Sequence, residues 1–187
     1  YKNNNNFIVT NSRYLSQNHE DEFNELWDRR FGEGEQVRYP IIYLNSIKVE
    51  NYFCPEDNCA GHIINIISKA KKSIYFMTFS FTLEEIADAI LFADVENIKG
   101  VFEKSQGGSK YSQYERLKGF GLNVTKDSNP ANMHHKVFII DNEIVITGSM
   151  NPSASGDKKN DENILIIHDK RIAEENLEEF EKVWDFG

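Results

Sequence analysis

His134-His135-Lys136-Val137-Phe138-Ile139-Ile140-Asp141-Asn142-Glu143-Ile144-Val145-Ile146-Thr147-Gly148-Ser149-Met150-Asn151 is the stretch from which the fold can be read. Two apolar runs flank a polar Asp-Asn-Glu turn, so the spacing predicts two strands joined as a hairpin. Alternate strand residues face opposite ways, which puts His134 and Lys136 on one face and sends His135 to the other. Where the second strand ends come Gly148, Ser149 and Asn151, a small residue and two hydrogen-bonding side chains. An imidazole, an ammonium and neutral donors form the set that a phosphoryl group needs, because its charge is spread over several oxygens. Burying a His, a Lys and an Asp in a core hairpin without purpose would be costly.

The pattern H-x-K-x4-D-x6-G-S-x-N resembles the HKD motif of the phospholipase D superfamily. Further on, Lys159-Asn160-Asp161-Glu162-Asn163 ahead of the apolar Ile164 to Ile167 resembles the acidic element that follows the motif there. The resemblance implies an α/β fold, an α-β-α sandwich on a mixed, mainly parallel sheet. Strands alternating with helices along the chain lead to the same class. It also implies a phosphodiesterase in which His134 attacks phosphorus and a phosphohistidine is later hydrolysed. Lys136 is then the fixed cation, and Ser149 and Asn151 bind phosphoryl oxygens. Asp141 and Glu162 are expected to hold the other nitrogen of a histidine or to orient Lys136. No cofactor is implied, and no carboxylate and histidine cluster near the motif has metal-ligand spacing.

Composition narrows the partners. The chain has 187 residues, enough for one substantial core, and a formal net charge of −9. So negative a surface argues against general adhesion to polyanions, and leaves local clusters to meet an anionic substrate. Lys69, Lys71 and Lys72 read as solvating a helix end. Lys104, Lys110, Lys158 and Lys159 are the better candidates for substrate contact. Tyr111 and Tyr114, near Lys110, could stack on a base, but core or surface packing is the better explanation for them. No apolar run is long enough to span a bilayer, and no lipid-facing rim stands out. Cys54 and Cys59 make neither a disulfide framework nor a zinc site, so free thiols are expected, with one disulfide as the alternative in an oxidising compartment. His19, His62 and His168 read as structural.

Self-comparison reveals a repeat. Lys2, Asn3, Asn6, Glu22, Phe23, Trp27 and Asp28 fall without gaps on Lys159, Asn160, Asn163, Glu179, Phe180, Trp184 and Asp185. Residues 1–31 are therefore expected to be the last strand and helix of a preceding copy, 32–40 a linker, and 41–187 the HKD domain. Asn5 stands where the second copy has Glu162. A nucleophilic imidazole must be unprotonated while the acid facing it is protonated, so a second motif is required. It is expected from an upstream copy in the intact chain, with a homodimer as the alternative.

The substrate is the least determined part of the reading. Small family members of this kind resemble the Nuc-type endonucleases, so a metal-independent nuclease acting on DNA or RNA comes first. A phospholipase D acting on phospholipid head groups comes second. A non-catalytic nucleic-acid-binding or scaffold module comes third.

Overall fold

A computed structural model describes residues 2–185 of the chain. Eight strands form one sheet: β1 (Ile41–Leu44), β2 (Ile47–Cys54), β3 (Ser73–Thr78), β4 (Asn97–Phe102), β5 (Asn123–Lys126), β6 (Lys136–Ile140), β7 (Ile144–Gly148) and β8 (Glu162–His168). Their order across the sheet is β1-β2-β8-β7-β6-β3-β4-β5. The α/β class and the mixed sheet agree with the sequence. The weighting toward parallel pairs does not. Only β3, β4 and β5 run parallel, joined by helical crossovers, while every other neighbouring pair is antiparallel. Tight turns account for two of the antiparallel pairs, β1 with β2 and β6 with β7, since strands joined by so short a connection must run in opposite directions.

Alternation along the strands feeds two cores. Ile74, Phe76, Phe138, Ile140, Ile146, Ile164 and Ile166 point to the face covered by α2 (Cys59–Ile67), α3 (Glu84–Leu91) and α5 (Tyr114–Gly119). Met77, Val137, Ile139 and Val145 point the other way, onto Ala173, Phe180 and Val183 of α7 (Lys170–Asp185). Helices on both faces make the expected α-β-α layering. Two short helices, α4 (Lys104–Gly107) and α6 (Ala154–Lys158), fill loops for which periodicity predicts no helix.

Residues before β1 form an extended segment followed by α1 (Arg13–Trp27), which packs at β2 through Asn18 with Asn51 and His19 with Phe53. Ser12 Oγ accepts the Leu15 N–H at its start, and Asp169 Oδ1 accepts the Ile172 N–H at the start of α7. The two helices thus begin and are capped at corresponding positions of the repeat. Their surroundings differ sharply. Phe180 is 1% exposed and Ile164 2%, whereas their counterparts Phe23 and Phe7 are 57% and 89% exposed. Residues 32–40 are irregular and pinned along their length: Gly32 N–H donates to Asp161 Oδ1, Val37 N–H to Asp57 Oδ1 and Tyr39 N–H to Asn18 Oδ1.

One local expectation is corrected. Cys54 and Cys59 form a disulfide, because the turn between β2 and α2 brings their Cα atoms to 5.6 Å. That turn offers no side chain to cap α2. Asn58 makes no cap bond, and the Ala60 N–H is taken instead by Asp157 Oδ1 from α6.

Candidate active site

The motif lies at one end of the sheet, where β6 begins and where the parallel strands β3 and β4 end, the edge at which α/β sheets expose their sites. His134 lies two residues before the start of β6 and is exposed, while Lys136 begins the strand at 8% exposure. Lys136 Nζ is 3.2 Å from His134 Nε2 and donates to the His134 carbonyl at 3.0 Å. An ammonium can only donate, so at this contact with a charged Lys136 the ring nitrogen is the acceptor. His135 turns to the opposite face, as alternation requires, and is buried with Nε2 facing the Glu179 carboxylate at 3.6 Å.

Phe79 completes this corner. Its ring centroid lies 4.6 Å from that of His134 and 5.0 Å from Lys136 Nζ, so one aromatic face backs both groups. It follows directly on β3, and no motif in the sequence singles it out. The available signal was the apolar Ser73–Phe81 run, whose end pairs beside the motif through Thr78 and Lys136.

Electrostatics follows from burial. Desolvation lowers the Lys136 pKa to about 8, with the charge of Glu162 acting in the opposite direction. Burial and the adjacent Lys136 ammonium also lower His134. A neutral imidazole thus coexists with a cation beside it over the neutral range.

Ser149 is held by the strand opposite. The Asn163 N–H donates to Ser149 Oγ at 3.0 Å, which leaves the hydroxyl proton available to an incoming oxygen. Gly148 is needed for this approach, since a Cβ there would lie 2.1 Å from the Asn163 carbonyl oxygen. Asn151 follows at half-buried depth, and its Oδ1 has no partner among the described residues.

The two acidic expectations part company. Asp141 is at the hairpin turn, at the far end of β6 from Lys136, with φ 57°. Its carboxylate accepts the backbone N–H groups of Lys71, Lys72 and Ser73 at 2.6–3.0 Å, so it ties the turn to the start of β3 and takes no part in the site. Glu162 begins β8, accepts from Asn160 Nδ2 at 3.2 Å and reaches Lys136 only through its charge. Among the described residues, neither carboxylate bonds a ring nitrogen of His134. Lys104 is committed to the Asn129 carbonyl, whereas Lys158 and Lys159 are exposed. Tyr114 is core, at 7% exposure, while Tyr111 is exposed with Lys110 Nζ 4.8 Å above its ring. Among the described residues no group of three His, Cys, Asp or Glu side chains is arranged to hold a metal ion.

A family model described as "Cardiolipin synthase, PLD-like domain" matches residues 63–184. The chain belongs to the phospholipase D superfamily. Within that superfamily it is 36% identical over 142 residues to a phospholipase D of Rickettsia conorii, covering 75% of this chain and 71% of the relative. The human mitochondrial cardiolipin hydrolase is 28% identical over 131 residues, 69% of this chain and 52% of that protein. Among solved structures, the phospholipase D family member Nuc of Salmonella typhimurium superposes with a TM-score of 0.71 at 31% identity, covering 75% of this chain and 96% of Nuc.

Proposed function

We propose that the chain is a nuclease that hydrolyses the phosphodiester bonds of DNA or RNA through a phosphohistidine on His134, with no metal ion. Membership of the superfamily makes it a phosphodiester hydrolase. The observation that carries the finer reading is an exposed imidazole whose Nε2 lies 3.2 Å from the Lys136 ammonium. The diester's anionic oxygens repel a nucleophile, and Lys136, Ser149 and Asn151 offset that charge as the pentacoordinate geometry develops. Nε2 forms the N–P bond as the P–O bond to the leaving group breaks, and a facing imidazolium gives its proton to the departing oxygen. Water then attacks phosphorus, returns a proton to that second imidazole and frees His134.

Nucleic acid is favoured by Lys110 and Tyr111, an exposed cation and aromatic ring on the loop after β4, at the same end of the sheet as the site. The second imidazole is assigned to an upstream copy of the domain, to whose last strand and helix the repeat matches the extended segment before α1 and α1 itself. The matched caps of α1 and α7 and the exposed apolar residues of the first copy support this arrangement, and a homodimer is its alternative.

Phospholipid is the second reading, and the exposed apolar residues of the first copy serve it as well. Phe7, Val9, Trp27 and Phe31 are 89%, 81%, 76% and 64% exposed, an apolar surface that alternation in the sequence does not disclose. The test offers the full-length protein and His134→Ala labelled DNA, RNA and phosphatidylcholine vesicles in excess EDTA. Nucleic-acid cleavage that survives chelation and vanishes in the variant is expected. Head-group release alone selects the second reading, and binding without turnover selects a non-catalytic module.

A further inference from the structure

The family model begins at residue 63, so the segment before α1 lies outside it, yet this segment touches the motif directly. His134 sits just ahead of β6, where no sheet neighbour takes its N–H. The Asn4 carbonyl takes it instead, at 2.9 Å, and the Asn4 N–H donates to the Asn132 carbonyl at 3.0 Å, a one-rung parallel bridge. Asn129 Nδ2 donates to the Lys2 carbonyl and to Asn4 Oδ1, and the Asn132 N–H donates to Asn3 Oδ1. Two residues on, Asn6 Nδ2 donates to Thr147 Oγ1 at 2.6 Å, and Asn6 Oδ1 lies 3.4 Å from His135 Nδ1. Thr147 and His135 are 3% and 1% exposed, so this amide serves polar groups that water does not reach.

We propose that Lys2–Asn6 is a strap that positions the reacting histidine, with Asn4 and Asn6 as its two points of attachment. Without it, the His134 N–H has no partner, and only the carbonyl of that residue is held, by Lys136 Nζ. With it, the residue on either side of the His134 Cα is fixed: its own N–H by Asn4, and the ring of the next residue by Asn6. Displacement of a nucleophile by about 1 Å costs up to about 100-fold in rate, so a backbone anchor at this point acts on turnover more than on binding. The repeat supplies a parallel. Asn163, which matches Asn6, anchors Ser149 Oγ on the other side of the site. Both copies of this asparagine thus steady a hydroxyl at the end of β7. The inference rests on His134 being the nucleophile, but its structural half can be read without any activity.

The experiment compares the full chain, a deletion of residues 1–6 and Asn6→Ala. Amide hydrogen exchange is followed at His134, with Phe76 in β3 as the internal reference, and kcat and KM are measured on bis(p-nitrophenyl) phosphate. The deletion is expected to speed exchange at His134 about tenfold and to lower kcat about tenfold, with KM changed less than about twofold and Phe76 unaffected. Asn6→Ala is expected to lower kcat about threefold, and it decides the matter if the deletion variant does not fold. Unchanged exchange at His134, or equal acceleration at His134 and Phe76, overturns the proposal. If His134→Ala stays active while exchange responds as stated, the nucleophile assignment falls and the strap stands.

Discussion

At the scale of single residues, the pair His134 and Lys136 sets a pH window. The cation is needed to neutralise the phosphoryl oxygens, and burial brings Lys136 to about 8, so its charge is present below that pH and lost as pH rises through it. His134 is lowered from its ordinary value, so the neutral nucleophile is present from below neutrality upward. The profile of kcat/KM is therefore expected to fall on the alkaline side with a midpoint near pH 8. Glu162→Gln removes a charge that favours the ammonium, and the limb should move to lower pH. Lys136→Arg keeps its charge at every accessible pH, so its residual activity should lack this limb. A limb left in place by both substitutions would assign it to another group. That His134 and Lys136 share a face, with Ser149 and Asn151 following the end of the second strand, was legible from strand alternation and the hairpin. Phe79 was not, because its contact with both groups arises from pairing β3 against β6, which no local pattern encodes.

At the scale of elements, the hairpin shows how a motif residue can serve the fold. Asp141 holds three backbone N–H groups at the start of β3. Asp141→Ala is expected to cost about 2 kcal/mol in denaturant unfolding while kcat changes by less than about twofold, the reverse of what a group at the reacting atoms would give. The α1 helix carries a second prediction. Burial, with Glu56, Glu25, Asp161 and Asp57 nearby, raises Glu22 from 4.5 to about 7. A raised carboxyl binds more protons in the folded state, so its contribution is full below pH 4.5 and lost as pH rises through about 7. The melting temperature should therefore decline across that interval, and Glu22→Gln should flatten the decline. Most elements were visible as periodic apolar runs from β1 to α7. The pairing of β2 with β8 was not, nor was the Asp157 cap on α2, because each joins residues far apart in the chain. Free cysteines were expected from their count alone, whereas the turn geometry bonds them.

The molecule as a whole has one complete layer of chemistry and one incomplete surface. Phe23 and Trp27 stack on each other in the open, while Phe180 and Trp184 stack against a sheet. The sequence kept the same residue types at both places, and an exposed cluster of that size is stabilising only if something covers it. The covering partner consistent with the repeat is a sheet of the kind that α7 covers, and it would bring the second imidazole with it. The isolated chain is then expected to cleave at least about 100-fold more slowly per site than a protein carrying both copies, since loss of a general acid alone costs that much. Its specific activity should also be independent of concentration. Activity that instead rises with concentration, in step with a dimer seen by sedimentation, would move the second imidazole to another molecule. Asp replacements at Phe23 and Trp27 separate the cases: they should disrupt the two-copy protein and leave such a dimer's sedimentation unchanged.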